Sequence, residues 1–433
     1  MLLSIPIILQ QFLRVSVDLC DSIMLGRIDQ VQMAAVSQAQ QIFFVFYTVC
    51  NGFAVGCSVL IAQYWGLQRK EEIKTLFAIG SKIIAVFAII ISAIVLIRPD
   101  QVMRIYSSDP EVIALGASYL RIAAWMYTPC AVSSMLFACC RGIEQMKISF
   151  AVNAVSYPIN LILDYCMIFG KFGFPELGVG GAALASVMAE ASAFLIFIFY
   201  TLLKLPIKQY ALFSFHKLEG WLMLTVLKTA FPTMLQKLLS FGTWYIFFML
   251  IEHMGERPIA VTIIVRSVYM LILIPVFGYG ATANTLTSRL IGEQRQPEIM
   301  STLRRIVKLS MLSVLPVLLI CYIFPHYVLS IYSNSSELIA ASIPSLYVVG
   351  LAALSFCFGI TFFEAISGTG NTTHALILES FVLIFYTFQT WLFTTVVRSD
   401  VAFVWTVEIT YGILIGVVSL LYLKYTKWQQ KKV

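Results

Sequence analysis

The chain has 433 residues, of which 60% are hydrophobic and only 12% charged, with a mean hydropathy of +0.88. That leaves too little polar surface to cover a water-soluble globule, so lipid must solvate it. The net charge of +7 does not form a nucleic-acid-binding patch, because the basic residues are spread through short segments between apolar stretches.

A helix needs about 20 apolar residues to cross the hydrocarbon core. Such stretches predict twelve spans, near 4–26, 40–64, 77–97, 115–139, 149–170, 179–203, 223–251, 259–288, 306–324, 341–365, 375–396 and 402–423. Continuous runs such as Ile83 to Ile91 are unlike the short alternating segments of a membrane β-barrel. The expected fold class is therefore all-α and polytopic. The chain enters apolar sequence at residue 2 without a basic region or a cleavage site, so the first helix is expected to direct insertion itself. The nine cysteines fall within spans or at their edges and read as small apolar residues rather than disulfide partners or metal ligands.

With the N-terminus placed in the cytoplasm, most of the 29 Lys and Arg fall on the cytoplasmic side. Among them are Arg69, Lys70, Arg141, Lys147, Lys204, Lys208, Arg304, Arg305 and Lys424. By the positive-inside rule both termini are expected in the cytoplasm of a multi-pass plasma-membrane protein, of the bacterial inner membrane type.

The chain also matches itself at an offset of 226 residues. The segment from Gly52 to Arg69 aligns with that from Gly278 to Arg295, Pro6 with Pro232, Gln10 with Gln236, Pro99 with Pro325, Ile105-Tyr106-Ser107 with Ile331-Tyr332-Ser333, and Gly142 with Gly368. A frame that joins Gly, Pro, Tyr and Gln positions is not produced by chance matches among Leu and Ile. Six spans per copy make the two copies parallel repeats, an arrangement found in alternating-access transporters. The expected organisation is a lobe at 1–203, a basic cytoplasmic linker at 204–228 and a second lobe at 229–433, with a cleft between lobes as a transport pathway.

Charges within the spans are few, and each is unfavourable by roughly 2.5–3.5 kcal/mol at mid-membrane. Arg14, Asp18 and Asp21 share one face of the first span, and Asn160 and Asp164 share one face of the fifth. With Glu190 of the sixth span they are expected to give the first lobe a polar cavity of carboxylates. Carboxylates grouped in a low dielectric oppose one another's ionisation, so one can take up and release a proton. The same oxygens also suit a sodium ion, held by Asp21, Asn160 and Asp164. Pro6, in the first span, is a candidate hinge. In the second lobe Asp21 and Asp164 align with Phe247 and Thr390, so the acids are not duplicated, and Arg266 with Glu364 or Glu379 is expected to form an internal ion pair.

These residues resemble the multidrug and toxic compound extrusion (MATE) family of the MOP flippase superfamily. The resemblance rests on Pro6 with Asp21 to Gly26, Gly52 to Gln63 with Gly66, Arg141-Gly142, Asn160 to Asp164, and Gly368 to Thr372. It implies two lobes forming a V-shaped cleft and export of organic, often cationic, drug-like compounds, driven by proton or sodium antiport, with Asp21, Asn160 and Asp164 as the coupling residues. It further implies a monomer in membrane lipid, with no nucleic acid partner and no cofactor beyond the coupling ion. The acids that a sodium-linked branch carries in its seventh and tenth spans align with Ser240 and about Phe356, both uncharged. A lipid-linked oligosaccharide flippase would need a strongly cationic cavity, for which only Arg14, Arg121, Lys237 and Arg266 lie within reach. A membrane-embedded enzyme would need a catalytic constellation, and no His-Glu-x-x-His, Gly-x-Ser-x-Gly or phosphate-binding loop is present.

Overall fold

A computed structural model describes residues 3–25, 30–204, 220–426 and 428, with the side chains of 18, 19, 21–23, 25, 30 and 201–204 outside that description. The described residues form helices and turns, without a strand. With no water to satisfy them, backbone amides and carbonyls in lipid must bond within their own segment, and the helix does this. The twelve long helices are α1 (Ser4–Leu25), α2 (Gln30–Gly66), α3 (Lys70–Ile97), α4 (Pro110–Gly142), α5 (Met146–Phe169), α6 (Gly178–Lys204), α7 (Gly220–Glu252), α8 (Glu256–Gly292), α9 (Ile299–Ile323), α10 (Ser336–Gly368), α11 (Thr372–Trp391) and α12 (Thr406–Tyr425). Eleven segments, corresponding to α2 through α12, are long and apolar enough to cross a membrane, and in α1 the apolar stretch Ser4–Val17 is shorter.

The internal repeat is written into the backbone at the same offset of 226 residues. Helices α2 and α8 are both 37 residues long, and α4 and α10 are both 33. Left-handed backbone recurs in register, at Gln68 and Gln294 (φ 59° and 58°), at Phe172 and Arg398 (φ 54° and 53°), and at Glu144 and Gly370 (φ 60° and 81°). The N-caps of α4 and α10 correspond as well. The Asp109 carboxylate accepts from the Glu111 amide at 2.9 Å, and the Ser335 hydroxyl accepts from the Leu338 amide at 3.4 Å. Both satisfy an amide that the first helical turn leaves without a partner.

The chain forms two compact units, one of Leu9–Met234 and one of Met1–Ile8 with Leu235–Val433. The division therefore falls inside α1 and α7, whereas the linker expected at 204–228 lies mostly outside the described residues. Glycines at close approaches explain where it falls. A Cβ on Gly56 would strike the Ala230 backbone, which binds the start of α7 to α2, and one on Gly278 would strike Ile8, which binds the start of α1 to α8. In the first unit described here, Leu9–Met234, the core joins α2, α3, α4, α6 and the first turns of α7 through residues such as Leu60, Leu76, Tyr127 and Val226. In the other unit, Val265, Tyr269, Val349 and Trp405 form one core cluster and Ala283, Ile366 and Ile415 another.

Pro6 stands in the first turn of α1, which begins at Ser4.

Gly56→Val is expected to lower the apparent melting temperature of the purified protein, the overpacking being worth about 1–3 kcal/mol. Gly242→Ala, where an added Cβ meets nothing within 4 Å, is expected to leave it unchanged or slightly raised. A thermal-shift measurement in one detergent compares the two.

Candidate functional site

In the Leu9–Met234 unit, α5 places Asp164 in the interior at 4% exposure, one helical turn after the half-buried Asn160. Glu190 on α6 lies within electrostatic reach of Arg14, and the Arg14 guanidinium sits 4.4 Å from the Tyr47 ring centroid. The side chains of Asp18 and Asp21, both expected at this site, lie outside the described residues.

The other unit holds a cavity of about 290 Å³ lined by α7, α8, α10, α11 and α12. Three carboxylates reach it, each held differently. Glu364 on α10 accepts from Lys237 Nζ at 3.2 Å and from Asn284 Nδ2 at 3.1 Å. Glu379 on α11, 3% exposed, accepts at one oxygen, Oε1, from both Ser240 (2.7 Å) and Tyr411 (3.0 Å). Glu408 on α12 accepts at Oε1 from Tyr386 (2.7 Å) and at Oε2 from Tyr269 (3.2 Å). Hydroxyl donors of this kind make a buried carboxylate tolerable without a cation at each one.

The ion pair expected between Arg266 and Glu364 or Glu379 is not formed. Lys237 pairs with Glu364 instead, and Arg266 is exposed with its guanidinium 5.2 Å from the Phe248 ring centroid. The reason is distance along α8. Gly280 and Asn284 are α8 residues that meet Glu364, and at a rise of 1.5 Å per residue Arg266 lies roughly 21 Å before the nearer of them. Its long side chain reaches outward rather than down the helix.

Sequence reasoning picked out Lys237, Glu364, Glu379 and Glu408 as interior charges of the second lobe but paired Glu364 or Glu379 with Arg266, and it did not join them to Ser240, Tyr269, Tyr386 and Tyr411 in one site. A signal was present in the helical spacing. Lys237 and Ser240, Glu379 and Tyr386, and Glu408 and Tyr411 stand at i, i+3 or i, i+7, each pair on one helix face. Ser240 and Phe356, the uncharged residues at positions where the resemblance implies acids, both line this cavity, and its acids come instead from Glu364 on α10, Glu379 on α11 and Glu408 on α12.

Two repeated six-helix units with charged groups sequestered in their interiors define a multi-pass membrane transporter rather than an enzyme. The MatE family model matches residues 6–166 and again 232–392, the same offset that relates the repeats, and the chain belongs to the MatE family. Among its relatives is the protein called "Probable multidrug resistance protein NorM" of Thermotoga maritima, 24% identical over 382 residues, covering 87% of this chain and 81% of the relative. Another is "Probable multidrug resistance protein YoeA" of Bacillus subtilis, 24% identical over 342 residues and covering 77% and 73%. Of the solved structures, the outward-facing conformation of a multidrug resistance MATE family transporter of the MOP superfamily superposes with a TM-score of 0.89 at 20% identity, over 98% of this chain and 94% of that one. A MOP superfamily transporter from Pyrococcus furiosus, described as having a binding pocket of reversed polarity, superposes with a TM-score of 0.87 at 20% identity, over 98% and 96%. These superpositions establish the shared fold.

Lys237→Met is expected to destabilise the protein by about 1–3 kcal/mol, because it strips a partly buried carboxylate of its charged donor. Lys237→Met combined with Glu364→Gln is expected to recover much of that loss, as measured by a double-mutant cycle on thermal unfolding in detergent.

Proposed function

We propose that the chain exports organic, often cationic, drug-like compounds across a cell membrane by alternating access, driven by antiport of a proton or a sodium ion. The observation that carries the coupling is Asp164, a carboxylate at 4% exposure within a membrane helix. A charge in that position is kept for a function or compensated by a partner. Asn160 one turn away offers an amide oxygen, and Asp18, Asp21 and Glu190 are further oxygen donors for the same coupling site. All are hard oxygen ligands, which serve a proton or sodium and need no other cofactor. The names of the relatives support drug export as the activity. The excess of carboxylates over lysine in the other unit's cavity weighs against a lipid-linked oligosaccharide flippase, whose pyrophosphate calls for the opposite charge.

The transporter is proposed to act as a monomer in the bacterial inner membrane, with both termini cytoplasmic and no nucleic acid partner. The test is ethidium accumulation in cells with and without the protein, with the proton and sodium gradients collapsed separately. Expression is expected to lower intracellular ethidium, and collapse of the coupling gradient to abolish the difference. Asp164→Asn is expected to bring efflux down to the level of cells lacking the transporter, and normal efflux by this variant would remove Asp164 from the coupling site.

A further inference from the structure

We propose that the cavity in the Leu235–Val433 part of the chain is a binding site for a compact aromatic monocation, whose ammonium or amine hydrogens bond to Glu379 Oε2. This deepens the export reading and rests on it, by giving the substrate a place and a recognising atom.

The first argument is charge. The lining carries three carboxylates, Glu364, Glu379 and Glu408, against one lysine, Lys237, which lies 3.2 Å from Glu364, so the cavity holds an excess of negative groups. The second is hydrogen bonding. Both oxygens of Glu408 receive a tyrosine hydroxyl. At Glu379 both donors converge on Oε1, while Oε2 is buried and has no hydrogen-bond partner. A buried polar atom without a partner is unfavourable in a folded protein and points to an absent donor. A ligand N–H in the cavity supplies both the missing donor and the missing positive charge.

The third argument is the wall. Phe241, Trp244, Phe356 and Phe363 line the same space, and ring faces attract organic cations while offering a metal ion no ligand. An inorganic cation needs several ligands gathered at one point, and among the described residues no group of three or more His, Cys, Asp or Glu side chains is placed to hold one. The volume of about 290 Å³ lies just under the roughly 300–1,000 Å³ range of small-molecule sites, which selects a compact ligand.

Proflavine, a flat tricyclic cation, is a suitable probe, with acridine, the same ring system uncharged in mildly alkaline buffer, as its neutral counterpart. Binding to the purified full-length protein in detergent is measured by fluorescence anisotropy. The wild type is expected to bind proflavine and to prefer it to acridine. Glu379→Gln, which removes the charge and keeps the shape, is expected to raise the Kd about tenfold or more. Glu379→Asp, which retains the charge, is expected to stay closer to the wild type, and it keeps the test decisive should the glutamine variant not fold. Wild-type affinity in Glu379→Gln, equal competition by acridine, or no proflavine binding by the wild type would each overturn the proposal. Failure of the export reading shows separately, as unchanged ethidium accumulation in cells carrying the wild type.

Discussion

A hydrocarbon solvent withdraws water from every backbone amide and carbonyl, and the remainder of this structure follows from that constraint. It makes the spans helical, which leaves recognition to side chains projecting from a few helix faces. It also makes each interior charge conspicuous. Asp164, Glu379 and Glu408, all buried in helices, are affordable only where hydroxyls, amides or an exchangeable ion meet them.

The two repeats show how far a conserved backbone permits divergent chemistry. Left-handed turns recur at Gln68 and Gln294 and at Phe172 and Arg398, because turn geometry between packed helices tolerates little change. Close helix contacts recur as well. Gly142 admits Ile61, and Gly368, 226 residues later, admits Thr287, the counterpart of Ile61. The charged residues obey no such symmetry. Asp164 corresponds to Thr390, and Glu379 and Glu408 arise on α11 and α12, whose counterparts α5 and α6 carry their acids at other heights. A side chain can be exchanged at little structural expense wherever its helix face already borders an interior space.

The carboxylate cavity also illustrates how hydroxyl groups replace counter-ions. Tyr269, Tyr386 and Tyr411 each donate to a glutamate while their rings pack against Phe356, Trp405 and one another. One residue type thus supplies both the apolar wall and the polar contact, as expected of an amphipathic aromatic side chain. The cavity can be apolar over most of its surface and still hold three acids.

The spans, the parallel repeat and the family were legible in the sequence, because hydropathy and self-similarity report on solvent and on duplication, both of which act residue by residue. The acids themselves were legible for the same reason, since a charge in an apolar run stands out. Their partners were not. That Glu364 meets Lys237 rather than Arg266 depends on how far each residue lies along a helix whose neighbours are set only by packing, and the gathering of Ser240, Glu379 and Tyr411 requires three helices that are distant in the chain. Composition and periodicity fix what each helix carries on its faces, while the heights and rotations at which those faces meet are decided by glycine contacts and side-chain packing in the folded protein.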